Sequence, residues 1–356
     1  MKISTKTRLG LLFLAVACLI GVVTSIIVNS LVTNQIIFEA QERVKEDLNT
    51  ARYVYASKIK DVDHAIRWTA IRHVLKTGLK QKNISPLRNE LEGLMAEEGL
   101  DFLTLVDRNG VVLFRFHNPP VSGDSLIDDP FIKIALENKK VSGTQVLSGD
   151  ELTKEGRSLT QKAIIQSIPV PKEKPTRKIE ETSGMVLKSA HPITDFNGEV
   201  IGALTGGVLL NRNYEIVDRI KNIVFKDAKY KGKEIGTATI FLGDLRISTN
   251  VIDKEGNRAI GTRAMKQVQE QVLGKGMPWI HRAFVVDDWY ITAYEPIRDI
   301  QDKIVGMLYV GMLESKYGVM KERLILLFFF FSMSGMLIAL TISFILSWMM
   351  MLKKKS

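Results

Sequence analysis

Cysteine is almost absent from this 356-residue chain: Cys18 is the only one, and it lies inside an apolar run. Disulfide staples are thereby excluded, so whatever folds must rely on its own core. The five histidines, His64, His73, His117, His191 and His281, show neither a His-Glu-x-x-His motif nor any paired metal-ligand spacing. There is no Gly-x-Ser-x-Gly elbow and no Gly-rich lysine loop for phosphate. The acidic pairs Asp128-Asp129 and Asp287-Asp288 are adjacent, so on a strand their side chains diverge. No catalytic constellation is present, and neither an enzyme nor a cofactor or metal is expected.

Charge is missing from two further places. No charged residue lies between Arg8 and Glu39, and none lies in residues 324–352. Each run exceeds the 20 or so apolar residues needed to cross a bilayer, and the first is too long for a cleaved signal peptide. Neither end of the chain carries a carboxylate, whereas Lys2, Lys6 and Arg8 precede the first run and Lys353, Lys354 and Lys355 follow the second. By the positive-inside rule both ends are cytoplasmic and residues 34–322 or so lie outside, which predicts a multi-pass protein of the cell inner membrane. Six of the net ten positive charges sit at these ends, so the basic balance is mostly topological and nucleic acid is not an expected partner. The divisions are a tail at 1–8, spans at 9–33 and 321–352, and a tail at 353–356.

Between the spans the pattern changes several times. Apolar residues recur every three or four positions from residue 38 to about 79, predicting one long helix stopped at Gly78. Its long apolar stripe suits packing against a second copy, so a homodimer is expected. A short helix follows near 86–97, then a hairpin of residues 102–106 and 111–115 around Asn109-Gly110. A helix is read at 130–138, a return to β character at 163–168, and a solvated loop at 169–184.

The most informative pattern is an internal repeat. Pro192-Ile193, Asp195, Val200-Ile201-Gly202 and Gly207 recur without gaps 104 residues later as Pro296-Ile297, Asp299, Ile304-Val305-Gly306 and Gly311. Residues 238–242 and 245–249 echo the first hairpin. Two similar modules in series follow, at 34–215 with the long helix and at 216–320.

With two spans, a long first helix and tandem Pro-Ile-x-Asp hairpins, the sequence resembles the double Cache extracytoplasmic sensor domains of bacterial histidine kinases and chemoreceptors. The phrases Gly261-Thr262-Arg263, Trp289-Tyr290, Tyr294-Glu295-Pro296-Ile297-Arg298 and Gly306-Met307-Leu308 carry the closest likeness. The resemblance implies an α+β fold of two tandem PAS-like modules, each an antiparallel sheet, on a long N-terminal helix, flanked by two transmembrane helices. It implies signal transduction, of the chemotaxis or two-component kind, with a small-molecule ligand bound in the membrane-distal module. Such receptors continue into HAMP and output domains after the second span, whereas this sequence stops at Ser356. It is expected to be either a truncated receptor or a stand-alone sensor with a separate cytoplasmic signalling partner.

Arg115 and His117 resemble the Arg-x-His strand end of carboxylate-sensing relatives, and alternation puts them on one strand face. A guanidinium grips a carboxylate through two parallel hydrogen bonds, so an organic or amino-acid carboxylate is the expected ligand. Lys188 and Lys162 are further candidates, and His191 should face away from Lys188. In the proximal module Arg263, Trp289 and Tyr294 are candidates, with Asp288 as a polar neighbour; aromatics at this spacing are also ordinary core. The competing expectation is a non-enzymatic envelope accessory protein that binds a protein partner, with filled module interiors.

Overall fold

The computed structural model describes residues 5–81, 88–168, 180–226 and 228–352. The tails at 1–4 and 353–356, the loop at 169–179 and the expected helix start at 86–87 lie outside the described residues. Helix α1 runs over Thr5–Ala70. The chain divides into two compact units, Met1–Arg43 with Leu313–Ser356, and Val44–Met312.

The first unit is helical, and two helices of the chain are long and apolar enough to cross a membrane by length and composition. Within it, a Cβ added at Gly21 would lie 3.9 Å from Ser332 Oγ, so the absence of a side chain lets the two helices approach there.

In the second unit α1 buries Val44, Leu48, Ala51, Tyr55, Val62 and Ile66, the three-and-four spacing of one helix face. The helix does not continue to Gly78. Thr69 is buried and bonds back to Ala65 O, a contact that bends helices, and the chain restarts as α2 (His73–Gln81) with Gly78 inside it. The break brings Leu75 into the core and leaves Val74 exposed.

Helix α3 (Arg88–Glu97) leads into β1 (Phe102–Asp107) and β2 (Val112–Arg115), then α4 (Pro130–Leu136) and β3 (Val141–Leu147). Residues 149–163 form two short helices that the sequence pattern did not announce, α5 (Gly149–Glu155) and α6 (Arg157–Ala163). Ser148 starts α5 with a reciprocal capping box to Glu151. Only β4 (Ile165–Gln166) is strand here, paired with β5 (Glu180–Glu181). The long strands β6 (Gly184–Thr194) and β7 (Val200–Leu209) complete an antiparallel sheet of order β2-β1-β7-β6-β3.

Helix α7 (Glu215–Phe225) and the ribbon of β8 (Lys229–Tyr230) with β9 (Lys233–Glu234) precede the second sheet. It contains β10 (Gly236–Leu242), β11 (Leu245–Thr249), β12 (Trp279–Val285), β13 (Asp288–Arg298) and β14 (Ile304–Leu313), in the order β11-β10-β14-β13-β12. Between β11 and β12 come α8 (Lys266–Gln269) and a π-helical turn, Glu270–Gly274. Helix α9 (Ser315–Leu352) follows β14. The fold is thus α+β, with two tandem antiparallel sheets of matching strand order.

The 104-residue repeat is structural to the residue: β6 and β13 share both bounds at that offset, and so do β7 and β14. Its aspartates make the turns, Asp195 Oδ1 accepting from the N–H groups of Asn197 and Glu199, and Asp299 Oδ1 from those of Gln301 and Lys303. Its first glycines serve a close approach. A Cβ at Gly202 would stand 2.4 Å from Val106 O, and one at Gly306 2.0 Å from Phe241 O, each beside an irregularity in the neighbouring hairpin. Backbone cannot yield as a side chain tip can. Gly202→Ala and Gly306→Ala should therefore each cost about 1–3 kcal/mol, seen as a lower unfolding midpoint with an unchanged circular dichroism spectrum, while Gly318→Ala, which meets nothing within 4 Å, should not.

Candidate ligand site

Period-two alternation sends residues 188 and 191 of β6 to opposite faces of the first sheet. On the α1 face, His191 Nε2 lies 2.8 Å from Asp63 Oδ1, and Ser189 Oγ donates to the same oxygen. Burial holds the imidazole below its ordinary pKa, with Asp63 opposing. The other face carries Lys188, Thr205, Arg115 and Gln145 around a cavity of ≈ 260 Å³.

Arg115, the last residue of β2, is 1 % exposed and fully engaged. Nη1 and Nη2 donate to the two oxygens of Asp124 at 2.7 and 3.0 Å, Nε to Glu155 Oε1 at 3.0 Å, and Nη1 also to Val121 O. Glu155, at the end of α5, accepts from Thr104 Oγ1 as well. The Arg115 hydrogen bonds hold the Asp124 carboxyl below the usual carboxylate range. Across the cavity, Lys188 Nζ donates to Asp129 Oδ2 at 2.6 Å, while Asp129 Oδ1 caps α4 by accepting from the Phe131 and Ile132 N–H groups. Burial would raise the Asp129 pKa, but Lys188, Ile132 and Gln145 together bring it below the ordinary value.

The cavity lining sets Arg115, Lys154 and Lys188 against Asp128, Asp129, Glu151 and Glu155. Its cations already have carboxylate partners: Lys154 reaches Asp124 Oδ2 at 3.3 Å. Gln145 is the opposite case. Its amide nitrogen donates to Asp129, which fixes the orientation of the group, and its Oε1 is buried with no donor. The wall is rich in acceptors and its guanidinium is fully committed.

A second cavity of ≈ 380 Å³ lies where the two modules meet, lined by Arg52, Tyr55 and Ile59 of α1, residues 142–144 of β3, and residues 295–300. Arg52 forms a salt bridge with Glu295 there.

Of the residues singled out in the sequence, Arg115 and Lys188 share the first cavity and the others do not join them. His117 lies beyond the end of β2, exposed, with Nε2 2.8 Å from Ser158 Oγ, because β2 stops at Arg115 and alternation stops with it. Lys162 lies 3.7 Å from Asp101 and is absent from both cavity linings. Arg263 pairs with Asp244. Trp289 is 42 % exposed, stacked under Arg282 and edge-on to Phe284. Tyr294 is buried core, its ring 4.6 Å from that of Tyr309, and Asp288 forms a salt bridge with Lys233. Sequence reading missed Asp124, Asp129, Gln145 and Glu155. Only Asp129 carried a local signal, an Asp directly before Pro130 at a helix start.

A tandem α+β protein with PAS-like sheets and an enclosed polar cavity is the class that this arrangement defines. Residues 208–323, which contain the second sheet, match the family model described as single cache domain 3, and the chain resembles the Cache sensor domains of histidine kinases and chemoreceptors. No curated protein matches it in sequence. Among solved structures it is similar to the periplasmic domain of Vibrio cholerae LuxQ, at 11 % identity and a TM-score of 0.43 over 76 % of this chain and 100 % of that one. It is similar to the sensor domain of the V. cholerae histidine kinase DctB, at 11 % and 0.43 over 77 % and 97 %. The sensory domain of the Campylobacter jejuni chemoreceptor Tlp3 with isoleucine bound is similar at 10 % and 0.39 over 81 % and 96 %.

The Lys188–Asp129 pair gives a pH test. Asp129 titrates below its ordinary value in the fold, so its contribution to stability is present above about pH 4 and is lost as pH falls through that range. Asp129→Asn keeps a capping oxygen but leaves the Lys188 ammonium without a counter-charge, at a cost of about 3 kcal/mol. In urea unfolding the deficit should be largest near pH 7 and shrink as the wild-type carboxyl protonates; a deficit independent of pH would assign the loss to the helix cap.

Proposed function

We propose that this chain is a membrane-anchored extracytoplasmic small-molecule sensor, a non-catalytic input module for signal transduction. The observation that carries the reading is the enclosed polar cavity of the first module, lined by Arg115, Asp129, Gln145, Glu155 and Lys188. Two apolar helices and uncharged runs flanked by lysines support insertion in the cell inner membrane, with residues 34–322 or so outside. The module division is 34–215 and 216–320. A cavity of this kind supports the sensor over an accessory protein that binds only a protein partner.

The pairing pattern narrows the ligand. Arg115 is held by Asp124 and Glu155, so a simple dicarboxylate finds no free guanidinium and faces Asp128, Asp129, Glu151 and Glu155. A ligand with an ammonium group suits this wall and satisfies Gln145 Oε1. An amino acid meets both demands, its ammonium toward the carboxylates and its carboxylate toward Lys188 or Lys154.

Signal transfer follows from connectivity. Only Glu314 separates β14 from α9, so a ligand that favours one arrangement of the sheets biases the start of the second span, toward a separate cytoplasmic signalling partner or an attached output domain. Exposed Tyr53 and Trp68 on α1 support a homodimer through that helix.

Thermal-shift measurement on the purified chain in detergent should show saturable stabilisation by one or more amino acids and none by succinate, with Gln145→Leu abolishing the shift. Stabilisation by succinate alone, or a shift untouched by Gln145→Leu, would overturn the ligand assignment. In a reporter receptor built on this segment, replacing residues 314–319 with Gly/Ser should remove the response while leaving binding intact; a full response would sink the transmission route.

A further inference from the structure

The first module fills one position of its sheet with valine, and the second fills the same position with arginine. Val112 pairs with Val106, which pairs with Ala203. Arg246 pairs with Phe241, which pairs with Met307, the residue 104 positions after Ala203. Val112 belongs to an apolar cluster with Val106, Phe131 and Ala203. Arg246 is 2 % exposed and forms no ion pair among the described residues.

Its surroundings supply no counter-charge. Nη1 donates to Thr262 Oγ1, and the guanidinium carbon stands 5.2 Å from the Phe241 ring centroid. Nε is buried without a partner, and the edge formed by Nε and Nη2 makes no hydrogen bond among the described residues. The carboxylate nearest in sequence, Asp244, is held by Arg263. Three tyrosines, Tyr290, Tyr294 and Tyr309, interact with the guanidinium electrostatically. Burial raises all three phenols, Tyr309 to about 12, so each stays neutral near pH 7 and none serves as an anion. Burial correspondingly lowers the pKa of Arg246 itself.

A buried cation without a counter-ion is among the costliest arrangements a fold can hold. The contrast inside this chain sharpens the point, since Arg115 is met by two carboxylates. The edge left open on Arg246 is one that takes a carboxylate through two parallel N–H···O bonds. Around it lie Phe241 and tyrosine rings, an apolar and donor-rich wall that suits a small organic acid better than a hydrated inorganic ion.

We propose that the second module holds its own ligand site, separate from the cavity of the first, in which the Nε–Nη2 edge of Arg246 binds the carboxylate of a small monocarboxylic acid. The two modules then read opposite chemistries. The first offers acceptors to an ammonium, and the second offers a donor edge to a carboxylate.

The test uses the full chain in detergent, titrated at constant ionic strength with acetate, propionate, pyruvate and benzoate, with chloride and phosphate as inorganic arms, and read by thermal shift and calorimetry. At least one of the four acids should stabilise the wild type saturably while chloride and phosphate do not. Arg246→Met should be at least as stable as wild type without added acid, because it removes an unpaired charge, and should bind the acid at least about tenfold more weakly. If Arg246→Met does not fold, Arg246→Lys replaces it, keeping the charge and losing the two-toothed edge; the same tenfold loss is expected. Gln145→Leu, in the first module, should leave the acid response unchanged. No saturable response to any of the four acids, a response to phosphate alone, or a response that survives the Arg246 variant or vanishes in Gln145→Leu would overturn the proposal.

Discussion

A guanidinium taken out of water has to be met by opposite charge, and the first module is organised around that requirement. Arg115 leaves the end of β2 and is gripped by Asp124 from the loop that follows and by Glu155 from the end of α5. These two contacts tie residues 40 positions apart onto one side of the sheet. They hold the cavity open as well, because its walls are charged pairs whose hydrogen bonds would break if apolar side chains collapsed into the space. Lys188 and Asp129 do the same on the opposite wall, with Asp129 also fixing the start of α4.

The internal repeat shows which features belong to the scaffold and which to its contents. Strand bounds, turn aspartates and the glycines opposite Val106 O and Phe241 O recur at a constant offset, since they are set by backbone geometry. The interior does not recur. At that offset Ala190 becomes Tyr294, Thr205 becomes Tyr309 and Lys188 becomes Thr292. One sheet face therefore encloses a polar cavity in the first module, whereas the equivalent face is packed with aromatic rings around Arg246 in the second.

That division also explains what could be read from the sequence. The apolar runs, the repeat, both hairpins and α4 were legible because each is a local pattern of a few residues with a fixed period. The break after Ala70 was not, because the periodicity runs on through it and only the demand that Leu75 reach the core turns the chain. Arg115 and Lys188 were legible as unusual charges on strands. Their significance was not, since the partners Glu155 and Asp129 lie 40 and 59 residues away and nothing local ties them together. His117 failed for a different reason: alternation was carried two residues past the point where β2 ends.

The modules are joined at points that matter for movement. Strand β3 places Gln145 at the first cavity, while Gly143 and Thr144, immediately before it, meet the second module. A Cβ at Gly143 would stand 2.7 Å from Ile300, Thr144 bridges to Asp299, and Ile300 packs against the apolar cluster that includes Phe131 and Ala135 of α4. Asp299 and Ile300 belong to the turn that opens into β14. A shift of β3 at the cavity therefore presses on the turn before β14 through close packing, which transmits displacement because it has no slack to absorb it. The contacts between Arg212 N and Ile247 O, and between Ser248 Oγ and Asn213 O, restrain the modules at β11, where Arg246 sits. Each site thus lies on a strand that touches the other module, so occupancy of one bears on the geometry of the other without any contact between ligands.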